Sequence, residues 1–197
     1  RINERMNFGI NGNVQGGKSG TFFIWNGTKG VNKYIPWGLT GEPTTTGAFR
    51  ATIDPFFTYL DEKGNRHKVL GRWFKVDNNN DNNQGNFSNF FYGEYQYQKT
   101  LSKINMVVSG GIVGSYVVVD APLYGGGIFK GRNFAIYGQV DKKFFNKLNV
   151  SIGIRGESNQ ITGTKSETKP VMRIGANYQA AEFTFLRASF GQGYRFP

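Results

Sequence analysis

Apolar and polar residues alternate along this chain with a period of two, the spacing that places side chains on opposite faces of a β-strand. Met6, Phe8, Ile10, Gly12 and Val14 stand against Arg5, Asn7, Asn11 and Asn13; Phe49, Ala51, Ile53, Pro55, Phe57 and Tyr59 stand against Arg50, Thr52, Asp54 and Thr58. The same rhythm sets Phe91, Tyr95 and Tyr97 against Glu94, Gln96 and Gln98, and gives apolar faces to Phe134, Ile136 and Val140 and to Val150, Ile152 and Ile154. It predicts ten strands and no helix: Arg5–Gln15, Thr21–Asn26, Thr46–Leu60, Arg66–Val76, Phe90–Lys99, Ile104–Val119, Asn133–Phe144, Asn149–Glu157, Pro170–Ala180 and Phe183–Arg195. Pro55 has no N–H for a ladder, so a disturbance is expected there.

The connections carry a second pattern. Gly16–Gly20 reads as a turn by composition, and with Asp61–Asn65, Thr100–Lys103, Phe145–Leu148 and Ala181–Glu182 it makes a set of short links. Between them fall longer ones, Gly27–Thr45, Asp77–Asn89, Asp120–Arg132 and Ser158–Lys169. Short and long links in alternation put all long loops at one end of a sheet, as in outer-membrane barrels, whose long loops are extracellular and whose turns are periplasmic. Aromatic residues near strand ends (Trp25, Tyr59, Trp73, Phe90, Phe91, Tyr116, Phe144 and Phe145) fit the girdles of such a barrel.

Composition narrows the chemistry. There is no cysteine and a single histidine, His67, which excludes a disulfide framework, a Cys-ligated metal site and a histidine-rich centre. Mean hydropathy is −0.45, and no apolar run in the sequence approaches the ~20 residues that a spanning helix needs. Alternating barrel strands keep hydropathy low and still cross a membrane. The net charge of +11 is scattered over nearly every segment, without the blocks or motifs of a nucleic-acid binder. Basic lumen walls and loops, or phosphate-bearing lipids nearby, account for its sign.

The most informative stretch is the last, where Leu186, Ala188, Phe190 and Tyr194 alternate with Arg187, Ser189, Gly191, Gly193 and Arg195. Its string Ala-Ser-Phe-Gly-Gln-Gly-Tyr-Arg-Phe-Pro, ending at Pro197, resembles a barrel strand of TonB-dependent outer-membrane receptors, with Phe196 replacing the usual Ala. Such receptors also commonly pair a strand ending in Tyr-x-Gln-x-acidic with one ending in Gly-x-Arg-x-acidic. Tyr137, Gln139 and Asp141, followed by Gly153, Arg155 and Glu157, resemble that pair. The match covers about the last third of the chain; the rest agrees in rhythm.

This resemblance implies an all-β, antiparallel transmembrane barrel, here about ten strands of a larger one of twenty-two strands. It implies energised uptake of a scarce nutrient (an iron chelate, a vitamin or a glycan) across the bacterial outer membrane, with no enzymatic role and no cofactor. The chain opens at Arg1 inside an apparent strand and ends straight after Pro197. It therefore reads as residues 1–197 of a longer receptor, without its plug domain. The implied partners are outer-membrane lipid, the remaining strands and plug of the same receptor, the TonB complex acting through that plug, and a small-molecule or glycan ligand; nucleic acid is not among them.

A complete small barrel with a structural, adhesive or enzymatic role, and a soluble carbohydrate-binding β-protein, stay open at this point. Direct pairing of Arg5–Gln15 with Phe183–Arg195 would mark the small closed barrel.

No catalytic constellation is visible. A Ser-His-acid triad would have to use His67, beside a polar turn, and no carboxylate pair is seen to converge. Gly110-Gly111 and Gly125-Gly126-Gly127 open no helix and match no phosphate loop. Asp77, Asn79 and Asp81 imitate the start of a calcium loop, but the sixth-position Gly and twelfth-position Glu are missing. The ligand-contact candidates are loop residues: Trp25, Tyr34 and Trp37, whose rings suit stacking on a sugar or other ring, and Asp77 and Asp81.

Overall fold

The computed structural model of this chain describes residues 4–21, 44–80, 84–122 and 125–193. They form one antiparallel sheet of nine strands whose spatial order is the chain order. The strands are β1 (Met6–Thr21), β2 (Thr44–Leu60), β3 (Arg66–Asn80), β4 (Asn86–Leu101), β5 (Met106–Asp120), β6 (Ile128–Phe144), β7 (Leu148–Ile161), β8 (Glu167–Ala181) and β9 (Thr184–Gly191). Each pairs only with its neighbours in sequence, so among the described residues β1 and β9 have one partner each and do not meet. The sheet is an up-and-down meander with two open edges.

Gly16–Gly20 is not a turn. β1 runs straight through it, and Gly16, Lys18 and Gly20 pair with Phe49, Gly47 and Thr45. Glycine permits a reversal without requiring one, and here ladder bonds to β2 hold the segment extended. Thr21 closes β1 instead of opening a further strand; the rest of that expected strand, through Asn26, lies outside the described residues. The links still fall into two sets at opposite ends of the sheet, but three of the expected long loops shrink to 81–85, 121–127 and 162–166, and two of these are no longer than the turn 61–65. Residues 61–65, 102–105, 145–147 and 182–183 turn at one end; at the other end β1, β3, β5 and β7 finish and β2, β4, β6 and β8 begin.

The strands overrun their expected limits at the loop end. β3 continues to Asn80, β6 begins at Ile128 and β7 reaches Ile161. β1 to β8 have 14 to 17 residues each, whereas about 9–11 suffice to cross a bilayer. In the surplus at Asp77–Asn80 and Ser158–Gln160 both faces are polar, and the alternation that betrays a strand disappears.

Pro55 interrupts the ladder as expected, yet the register on both sides is the same: Ile53 pairs with Trp73 and Phe56 with Leu70. The ring is accommodated by Gly71, where a Cβ would lie 3.0 Å from Pro55 Cγ. The turn after β2 is built on Asp61, whose carboxylate accepts the N–H groups of Lys63 and Asn65, both at 2.8 Å, and the Asn65 amide at 2.7 Å. These donors, the Asn65 side chain foremost, hold the Asp61 carboxyl below its usual range. Gly64, at φ +76°, completes the reversal.

The sheet has no core of its own. Its buried apolar residues are small (Ala51, Val113, Ala121 and Ala135), and no large side chain among the described residues is fully buried.

Candidate functional site: a wall with two unlike faces

Register places the apolar residues of successive strands in rows on one face. Phe8, Phe57, Val69, Tyr95, Ile112 and Ile136 are consecutive partners across β1 to β6. Nearer the turns, Val108, Val140, Ile152, Ile174 and Phe190 cross β5 to β9. These side chains are bare: Ile136 is 60% exposed, Ile154 57% and Phe190 66%. A contiguous apolar surface of this extent is not left in water by a soluble domain.

The edges of that surface are marked by aromatic rings and charge. Trp73, Phe91 and Tyr116 are cross-strand neighbours toward the loop end. Tyr59, His67 and Tyr97 are their counterparts toward the turns, with the His67 ring 5.7 Å from Tyr59 and 5.1 Å from Tyr97. Outward-facing charges lie at or beyond these rows. On β6 the uncharged outward stretch Phe134, Ile136, Gly138 and Val140 is bounded by Arg132 and Lys142. Ten residue steps at about 3.3 Å, inclined by about 40°, span about 25 Å along a membrane normal. That is the height of the apolar band of an outer-membrane barrel. Both bounding cations lean on aromatic rings, Arg132 on Tyr116 at 5.8 Å and Lys142 on Phe144 at 5.0 Å.

The opposite face is polar and cross-linked. Glu94 on β4 accepts the hydroxyls of Tyr92 and, from β6, of Tyr137 at 2.6 Å. Gln96 donates to the Tyr137 hydroxyl at 3.1 Å. Tyr137 reaches β4 by lying across β5 over Gly111, where a Cβ would fall 2.7 Å from the ring. Arg72 and Asp54 form a two-pronged pair at 2.7 and 2.8 Å. Glu157 accepts from Arg155 at 3.1 Å and from Asn133 at 2.6 Å, and Asp141 accepts from Gln139 and Ser151. Lys169 pairs with Glu167 at 3.0 Å. Among the described residues, the carboxylates of this face are thus all engaged, while Arg50, Arg66, Lys68, Lys143, Arg173 and Arg187 have no ion-pair partner. The face carries excess positive charge over an open cavity of about 800 Å³ beside Asp54, Arg66, Lys68 and Arg72, and another of about 500 Å³ beside Glu94, Tyr137, Arg155 and Arg173.

The expected ligand contacts are placed as follows. Trp25, Tyr34, Trp37 and Asp81 lie outside the described residues. Asp77 is not in a loop: it belongs to β3, on the apolar-face register between Phe49 and Phe87, with Lys75 Nζ 3.9 Å away. Its loop assignment failed because a polar strand end in water looks like a loop. Phe90, expected in a girdle, instead lines the larger cavity of the polar face. Nothing in linear order marks Glu94 or Asn133, because Glu94 meets Tyr137, and Asn133 meets Glu157, only across the folded sheet. The motif residues Tyr137, Gln139, Asp141, Arg155 and Glu157, read as barrel-wall signatures, all project from the polar face.

The family model described as "TonB dependent receptor-like, beta-barrel" matches residues 3–197. Comparison with curated proteins and with solved structures gave no match. The chain belongs to the TonB-dependent receptor β-barrel family. It is barrel wall of the bacterial outer membrane, with its apolar face toward lipid and its polar face toward the lumen. The family consists of receptors and transporters, not enzymes.

Proposed function

We propose that this chain is part of the wall of a larger receptor, a barrel of about twenty-two strands closed around a plug domain, that takes up a scarce nutrient. The TonB complex drives uptake through the plug; the wall supplies the passage and the outward loops. The observation that carries the reading is the combination of barrel-wall faces with two open edges. An unpaired edge in lipid costs several kcal/mol for each unsatisfied backbone group, so both edges call for further strands. The ligand is an iron chelate, a vitamin or a glycan, held by long loops: Trp25, Tyr34 and Trp37 offer ring faces and Asp81 a carboxylate.

The test is uptake of labelled ferric chelates, cobalamin and oligosaccharides by cells with the receptor gene intact or deleted, each with and without TonB. Receptor-dependent uptake that vanishes without TonB is expected. Uptake indifferent to TonB would overturn the proposal. Deleting residues 27–43 should remove ligand binding while leaving the barrel folded.

A further inference from the structure

The turn end of the sheet carries unpaired charge and bare rings that neither face of the wall uses. Residues 102–106 and 142–149 hold four lysines, Lys103, Lys142, Lys143 and Lys147, and no acid. None of the four has a carboxylate partner among the described residues. Asp141, next in sequence, already accepts from Gln139 and Ser151. The other acids of this end, Glu4, Asp61, Glu62 and Glu182, belong to the flanking segments. Beside the lysines stand two rings, Phe145, 93% exposed, and Phe183 on the next hairpin of this end, 89% exposed.

Phe145 is held out by its backbone. It and Asn146 both stand at positive φ, 50° and 56°, and Lys147 N–H closes the turn on the Phe144 carbonyl at 3.0 Å. This is the pattern of a type I′ turn, whose central positions favour Asn and Gly. A bulky aromatic there is a backbone outlier that hairpin closure does not call for. The turns are also fixed relative to one another. Lys143 N–H donates to the Asn105 carbonyl at 2.9 Å, and Gln179 N–H to the Lys147 carbonyl at 2.8 Å. The two rings are thus carried on hairpins two strand spacings apart, about 10 Å.

Phe145 lies three residues beyond Lys142, the cation that bounds the apolar band on β6, so its ring stands outside the hydrocarbon. A ring this bare makes a poor protein hot spot, which needs a desolvated pocket around it. A sugar needs only a flat apolar face beneath its C–H side, with its hydroxyls left in water. The spacing of the rings is comparable with the disaccharide repeat of a β-linked glycan, and the lysines complement carboxylates carried on it.

We propose that this rim docks an acidic glycan strand of the periplasmic wall, with amino-sugar faces on Phe145 and Phe183 and stem carboxylates on the four lysines. The proposal rests on the turn end facing the periplasm, and not on which nutrient the receptor carries. Each contact is weak and exposed, and affinity comes from several acting on one polymer.

The test is co-sedimentation of the full-length receptor, in detergent, with purified peptidoglycan sacculi. The wild type should pellet saturably, and less so as salt is raised. Phe145→Gly fits the turn better than Phe and so keeps the fold; it should weaken binding about fivefold. Lys103→Ala, Lys143→Ala and Lys147→Ala together should weaken it about tenfold. Lys63→Ala, on the first turn, should leave it unchanged. Sacculi with their carboxyl groups converted to amides, and uncharged chitin, should bind poorly. Undiminished binding by Phe145→Gly or by the triple variant, equal binding to amidated sacculi or chitin, or preference for phosphatidylglycerol vesicles would each overturn the proposal. Sacculi reach both ends of a receptor held in detergent, so failure here is distinct from an inverted orientation, which epitope labelling on cells reads separately. Nutrient uptake by the triple variant should be unchanged, which separates this surface from the receptor function itself.

Discussion

Replacing Gly111 with Ala perturbs the one place where a side chain crosses a whole strand to be satisfied. The added methyl would sit 2.7 Å from Tyr137 Cζ and Oη and 2.5 Å from the Tyr95 carbonyl oxygen. The ring can swing away, but the carbonyl belongs to the β4 ladder, so the β4–β5 pairing must also shift. Tyr137 then loses its bond to Glu94, a charged acceptor, contributing about 1.5–3 kcal/mol, and the bond from Gln96, about 1 kcal/mol. Strain from the misplaced methyl adds about 1–3 kcal/mol. These contributions overlap, and a net loss of about 3–5 kcal/mol is expected. Tyr137→Phe removes the hydroxyl without the clash and should cost about 2–3 kcal/mol. In a Tyr137→Ala background, Gly111→Ala should cost only the carbonyl contact, so the two substitutions must show coupling. Urea unfolding of the full-length receptor in lipid vesicles measures the stability of the wild type and of the four variants. A Gly111→Ala change within about 0.5 kcal/mol of the wild type, or strict additivity with Tyr137→Ala, would refute the crossing.

The remaining expectations concern faces, ends and the first turn. Ile154→Arg, near the middle of the apolar band, should destabilise by about 2–4 kcal/mol, Ile152→Arg somewhat less, and Ser151→Arg on the lumenal face only mildly; equal penalties in urea unfolding would contradict the two-faced wall. An epitope inserted after Asn80 should be labelled on intact cells and one after Lys63 should not, and reversed labelling would invert the orientation. Asp61→Ala should lower stability at neutral pH by removing the acceptor of the first turn. Because the folded-state pKa of Asp61 is depressed, its contribution is fully present above the unfolded value near 4 and fades as pH falls through the lower folded value. The gap between wild type and variant in pH-resolved unfolding should accordingly close only in acid.

Much of this wall was legible in the residues because period two is enforced wherever one face meets lipid. Phe49, Ala51 and Ile53, Val150, Ile152 and Ile154, and Leu186, Ala188 and Phe190 all fall on the apolar register expected of them. Legibility stopped where the environment is the same on both faces. Asp77–Asn80 and Ser158–Ile161 lie toward the outer rim and read as loop although they are paired. Gly16–Gly20 misled for a related reason: small residues satisfy a turn and a rim strand equally well. The lumenal network was hidden by distance, since Glu94 and Tyr137 lie 43 positions apart and meet only when β5 offers a glycine between them.

The central claim is that alternate residues of one strand see hydrocarbon and water. This chain has no cysteine, so in a receptor freed of any other thiols single cysteines placed in turn from Asn149 to Ser158 scan β7 alone. Each would carry a nitroxide in the vesicle-embedded receptor, with collision rates measured against oxygen, which partitions into lipid, and a nickel chelate, which stays in water. Even-numbered positions should favour oxygen and odd-numbered positions the chelate, with the oxygen maximum near Ile154. A flat profile, or the same alternation in the opposite phase, would contradict the account.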